Sequence, residues 1–126
     1  MASLYLYVNA VLYLVFAVWC TVSPSGTAKN IGYQSLSNGG HSEYLVIYGG
    51  LQLGLAVIFW LLARNPGFLR LGLLIAIALY APIVSYRLVT TIRFWPVGPL
   101  TLGTGVLEFV LLASALALFF KHGQFT

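Results

Sequence analysis

Apolar residues run almost unbroken through four stretches of the chain, Leu4–Val22, Tyr44–Ala63, Leu69–Val89 and Leu100–Phe120, while polar residues collect between them. Each stretch approaches the ~20 residues that a helix rising about 1.5 Å per residue needs to cross hydrocarbon. Backbone groups in lipid must find partners inside the protein, and runs of this length meet that demand as helices rather than as an open sheet. The interval Ser23–Ser42, rich in Ser, Gly, Asn and Thr, reads as one long polar loop. Arg64-Asn65-Pro66-Gly67 reads as a tight turn, and Trp95-Pro96-Val97-Gly98-Pro99 as the close of a second hairpin. Short turns make neighbouring helices antiparallel. The pattern therefore predicts an all-α integral membrane protein, a single transmembrane domain over residues 1–126 folded as an up-down four-transmembrane-helix bundle.

Composition agrees with that pattern. With 60% hydrophobic and 6% charged residues and a mean hydropathy of +0.95, the chain has too little polar surface for an ordinary wetted globule. The net charge of +4 comes from basic residues scattered singly along the chain, not from a patch of the kind that binds nucleic acid. Their expected partners are membrane lipid headgroups and Glu side chains. The single Cys20 cannot form an internal disulfide, and no CxxC or Cys/His cluster calls for a metal or a thiol redox centre. His41 and His122 fall on opposite sides of the expected bundle, so they do not form a ligand pair. No cofactor is called for by these residues. The first apolar stretch lacks a basic leader and a small-x-small cleavage site, and reads as a retained span. Arg64, Arg70 and Lys121 fall on the side that carries both termini, and Lys29 and Arg93 on the other, a bias that favours cytoplasmic termini. Trp19 and Trp95 would mark one interface, and Trp60 with Phe68 the other.

Two carboxylates, Glu43 and Glu108, lie at the edge of or inside apolar runs, where an unpartnered charge is costly. In the second span Glu43, Ile47, Gly50 and Gly54 recur at helical spacing, which sets Glu43 above a small-residue face that another helix could approach. Tyr48 and Gln52 form a second stripe turned away from Glu43. In the third span Tyr80, Val84, Arg87 and Thr91 share a face, and Pro82 interrupts the hydrogen-bond ladder beside them. In the fourth, Thr101, Thr104 and Glu108 share a face. Glu108 lies roughly 12 Å below the start of its helix and Arg87 roughly 10 Å below the end of its own. Those depths match across a hairpin, so an Arg87–Glu108 pair is expected, with Glu43 approaching the same guanidinium from nearer the interface.

Two readings of this cluster stand. One is an ion pair that fixes helix register. The other is a polar pocket in the outer half of the bundle, in which Tyr48, Gln52, Tyr80 and Tyr86 add hydrogen bonds for a lipid, a quinone or another apolar small molecule. Asn9 reads as interhelical glue. No catalytic motif is recognisable. The chain contains no Asp, no Ser/His/Asp set is visible, and Gly49-Gly50 with Gly54 lies within an apolar helix, where it cannot serve as a phosphate loop.

The run from Glu43 through Leu55 (Glu-Tyr-Leu-Val-Ile-Tyr-Gly-Gly-Leu-Gln-Leu-Gly-Leu), followed by Arg64, resembles the second-span signature of the DoxX-like superfamily of four-helix membrane proteins. Tyr86-Arg87-Leu88 and Leu107-Glu108 look like an uncharacterised bacterial domain family within it. The resemblance implies a multi-pass protein of the bacterial inner membrane without an established activity, and some DoxX-like relatives are linked with quinone-coupled sulfur oxidation or act beside redox enzymes. Three functions follow as expectations. The first is a binding or accessory protein, acting as a homo-oligomer or with a membrane protein partner. The second is an intramembrane enzyme with Glu43 or Glu108 as general acid or base. The third is a proton-coupled exporter.

Overall fold

In a computed structural model, which describes residues 1–123, the chain is helical throughout with no strand among the described residues. Four helical stretches are long and apolar enough to cross a membrane: Ala2–Val22, Asn38–Arg64, Pro66–Arg93 and Pro99–Gly123. The first is α1 (Ala2–Val22). The second is composite, made of α3 (Asn38–Tyr44), a π-helical segment (Leu45–Leu51) and α4 (Gln52–Arg64). After a single 3-10 turn at Pro66–Phe68 come α5 (Leu69–Arg93) and α6 (Pro99–Gly123).

The interval expected as a loop is partly helical. Pro24 opens α2 (Pro24–Asn30), its fixed φ suiting the first helical turn and its missing N–H costing nothing there. Ser37 caps α3 by accepting from the Gly40 N–H at 3.1 Å. The second apolar helix thus begins at Asn38, before Tyr44 where hydropathy alone starts it.

The inward face of that helix also differs from the expected one. Gly50 and Gly54 are exposed, and the buried positions are Tyr44, Gly49, Ala56, Phe59, Leu62 and Ala63. Segment Leu45–Leu51 is wound with i→i+5 bonding, which takes more residues per turn than an α-helix. A helical wheel drawn from Glu43 at 3.6 residues per turn therefore drifts out of phase before it reaches Gly50. A Cβ on Gly49 would lie 2.8 Å from Thr21 Oγ1, so only glycine permits this approach of α1 to the segment.

The chain divides into two compact units. One comprises Tyr7–Leu61. Within it Cys20, Ala28 and Tyr44 form a buried cluster flanked by Phe16, Ile31, Leu36 and Tyr48. Tyr13 stacks on Phe59 with ring centroids 5.8 Å apart. Asn9 is fully buried, and no buried side-chain nitrogen or oxygen lacks a hydrogen-bond partner among the described residues.

The other unit comprises Met1–Leu6 and the chain from Leu62. Leu6 and Leu73 are fully buried here, and Gly72 receives Leu6 so closely that an added Cβ would stand 2.6 Å from Leu6 Cδ1. Ser3 Oγ donates to the Ala63 carbonyl at 3.1 Å, and the buried Tyr5 hydroxyl donates to the Leu111 carbonyl at 2.7 Å. α5 and α6 form an antiparallel hairpin. Arg70, near the start of α5, lies 5.1 Å from the ring centroid of Phe119 near the end of α6, while Arg87 meets Glu108 towards the opposite end.

Candidate functional site

Burial is distributed unevenly along that hairpin. Gly72, Leu73, Ala76 and Tyr80 are buried on α5, and Leu111 and Ala115 on α6. From residue 81 to residue 110 no residue is buried. This half presents Leu88, Val89, Ile92, Val106 and Phe109 outward, each more than half exposed.

In this thinly covered half sits the Arg87–Glu108 pair. Arg87 Nε donates to Glu108 Oε2 at 2.9 Å and Nη2 donates to Oε1 at 2.7 Å. Two parallel charge-assisted bonds match the guanidinium edge to the carboxylate, the strongest geometry open to such a pair. The side chains are 32% and 14% exposed, so Arg87 remains partly accessible while Glu108 is largely covered. The arginine stem crosses α6 at Gly105, where an added Cβ would lie 3.3 Å from Arg87 Cγ. Gly105 precedes Glu108 by one turn on the same face, and so forms the floor on which the arginine lies.

The other expected site residues divide. Tyr80 is buried two turns before Arg87 on the same face of α5. Thr104 is half-buried, and its hydroxyl donates back to the Leu100 carbonyl at 2.7 Å. Tyr86 is 76% exposed and points away from the pair, because adjacent helical residues are turned by about 100°. It does not contribute to a buried polar pocket. Pro82 sits within a helix that continues through it to Arg93, beyond the expected end at Val89.

In the Tyr7–Leu61 unit, Glu43 is exposed on α3, and its carboxylate makes no ion pair or hydrogen bond among the described residues. Tyr48 and Gln52 are half-buried on the inner side of the composite helix. Tyr48 stacks on Tyr44 at 4.5 Å between centroids. The Tyr44 hydroxyl donates to Thr27 Oγ1 at 2.8 Å, and Thr27 in turn donates to the Ser23 carbonyl at 2.8 Å. Cys20 Sγ lies 3.8 Å from the Tyr44 oxygen. This chain of bonds ties α2 to α3.

A second tie escaped the sequence reading, which treated His41 as a lone histidine. Ser25 Oγ and His41 Nε2 are 3.1 Å apart, and His41 Nδ1 lies 3.2 Å from the Ser37 carbonyl. With its proton on Nδ1 directed at that carbonyl, the ring accepts from Ser25 through Nε2. Pro24 at the head of α2 and the Ser37 cap are the sequence signals that mark the two short helices this pair joins.

An apolar groove of about 200 Å³ runs along the same unit, lined by Ala10, Val11 and Leu14 of α1 and Leu53, Val57 and Trp60 of α4 among others. No group of three or more potential metal ligands occurs among the described residues. The chain matches no family model, no curated protein and no solved structure.

Proposed function

We propose that this protein is a multi-pass membrane protein that binds an amphipathic small molecule, lipid-like or quinone-like, at the Arg87–Glu108 pair, and that it acts as a binding or accessory protein, not as an enzyme. One observation carries the reading: a bidentate ion pair set in a stretch, residues 81–110, where nothing is buried and where Leu88, Val89, Ile92, Val106 and Phe109 are exposed. The Arg87 side chain stays about one-third exposed, so the polar head of an amphiphile can approach it while its tail lies along Val106, Phe109 and their neighbours. Both oxygens of Glu108 already accept from Arg87, which leaves the carboxylate poorly placed as a general base or as a carrier of transported protons.

Insertion as an up-down bundle in a bacterial inner membrane with cytoplasmic termini, in the manner of the DoxX-like proteins, belongs to the same proposal. The four apolar helices and the outward-facing Leu, Val, Ile and Phe side chains support insertion.

The test is native mass spectrometry of gently extracted protein, with identification of whatever lipid or quinone remains bound. Arg87→Leu/Glu108→Leu removes the pair as a unit and leaves no orphan charge, so it is expected to fold and to lose the bound species. Retention of the same species by that double variant would refute the assignment.

A further inference from the structure

We infer that the end of the α5–α6 hairpin remote from the Arg87–Glu108 pair is a binding surface for anionic phospholipid headgroups, with Arg64, Arg70 and Lys121 as its cations. This rests on the membrane reading given above, though not on the amphiphile at Arg87. All three residues belong to one compact unit and all are exposed. Arg64 closes α4, Arg70 stands in the first turn of α5, and Lys121 lies in the last turn of α6. The tight turn through Pro66–Phe68 and the antiparallel pairing of α5 with α6 bring these three helix ends to one level.

No acidic side chain belongs to that end. Glu108 lies towards the opposite end of the hairpin, and Glu43, the other carboxylate, lies near the start of the helical stretch Asn38–Arg64 that Arg64 closes. α5 has 25 residues. At about 1.5 Å per residue it spans roughly 37 Å, more than the ~30 Å of a hydrocarbon core. The two ends of the hairpin therefore reach different headgroup layers, one with three cations and the other with Arg93.

The geometry suits a phosphate at the water boundary. Arg70 rests against the Phe119 ring at 5.1 Å, and its Nη2 would lie 3.6 Å from a Cβ on Gly123, so its planar head is held across the end of α6 rather than trailing in water. Phe68 and Phe120 are 49% and 66% exposed beside these cations and supply the apolar contact expected just below the headgroups. Each Lys or Arg near an anionic surface contributes roughly a fivefold preference, which salt weakens.

The experiment places the purified protein in nanodiscs of equal phosphatidylcholine and phosphatidylglycerol, and measures by native mass spectrometry the ratio of the two lipids retained on activation. The wild type is expected to retain phosphatidylglycerol in excess. Arg64→Gln/Arg70→Gln/Lys121→Gln is expected to lower the ratio by fivefold or more, while Arg93→Gln and the charge-preserving Arg64→Lys/Arg70→Lys leave it near the wild-type value. An unchanged ratio in the triple variant, or an equal loss in Arg93→Gln, would overturn the inference. Resistance to carbonate extraction, measured in parallel, separates the cases: a protein that stays in the membrane without phosphatidylglycerol preference refutes this inference alone, and one that is extracted refutes the membrane reading with it.

Discussion

Removing Arg87 alone should cost more than removing both members of the Arg87–Glu108 pair. Arg87→Leu leaves the Glu108 carboxylate, 14% exposed, without either of its two charge-assisted bonds. Breaking a fully buried pair costs about 3–5 kcal/mol, and the partial exposure of this one places the loss near the lower limit, ~3 kcal/mol. Glu108→Leu leaves the arginine, whose long stem can swing its head away from apolar surroundings, so ~2 kcal/mol is expected. The double variant loses the salt bridge and the stem packed over Gly105, but it strands no charge; a cost of ~2 kcal/mol or less follows. The coupling energy is then about 3 kcal/mol, at the upper end for residues in direct contact. Reversible unfolding in mixed detergent micelles, followed by far-UV circular dichroism, measures all three variants on one scale. If the double variant loses the sum of the single losses, the two side chains do not act as a unit, and the reasoning from their geometry fails.

Other contacts give sharper, smaller tests. Gly72→Ala forces a methyl to within 2.6 Å of Leu6 Cδ1 and should destabilise by about 1–3 kcal/mol in the same unfolding assay, with Leu6→Val, which removes the clashing branch end, recovering part of the loss. Tyr44→Phe deletes the bond to Thr27 while Thr27 keeps its own bond to the Ser23 carbonyl, so a loss of about 1 kcal/mol is expected, and no measurable change would show that the link between α2 and α3 is carried by packing alone. Cys20, 3% exposed, should resist maleimide in the folded protein and react promptly after denaturation; prompt reaction before denaturation would contradict its burial.

The four apolar helices were legible because hydropathy over about 20 residues is a strong signal that few other folds imitate. The Arg87–Glu108 contact was legible for a different reason: a short connection fixes how far two antiparallel neighbours are offset, so depth along each helix can be counted from the turn. What counting cannot supply is rotation. Tyr86 is expected to add a hydrogen bond to the pocket, yet one step around the helix from Arg87 turns it outward. Gly105 went unnoticed because a glycine's role depends on what stands opposite it, here an arginine stem from another helix. The short helices in Ser23–Ser42 carried proper start signals at Pro24 and Ser37, but the Gly and Ser content around them reads equally well as loop. The shift of the packing face from Gly50 and Gly54 to Gly49 had no sequence signal at all, since a wheel at 3.6 residues per turn does not contain the π winding.

That winding has a consequence for how the chain tolerates change in length. Segment Leu45–Leu51 stores slack: the same axial rise can be made with fewer residues if the stretch rewinds to i→i+4 bonding. Loss of one residue there can be absorbed locally, leaving Tyr44 on Thr27 and Phe59 on Tyr13, whereas loss of one residue in the middle of α6 would turn Glu108 away from Arg87 or Leu111 away from Tyr5. The composite helix is thus the part of this molecule whose length can drift while its two packed ends stay in place.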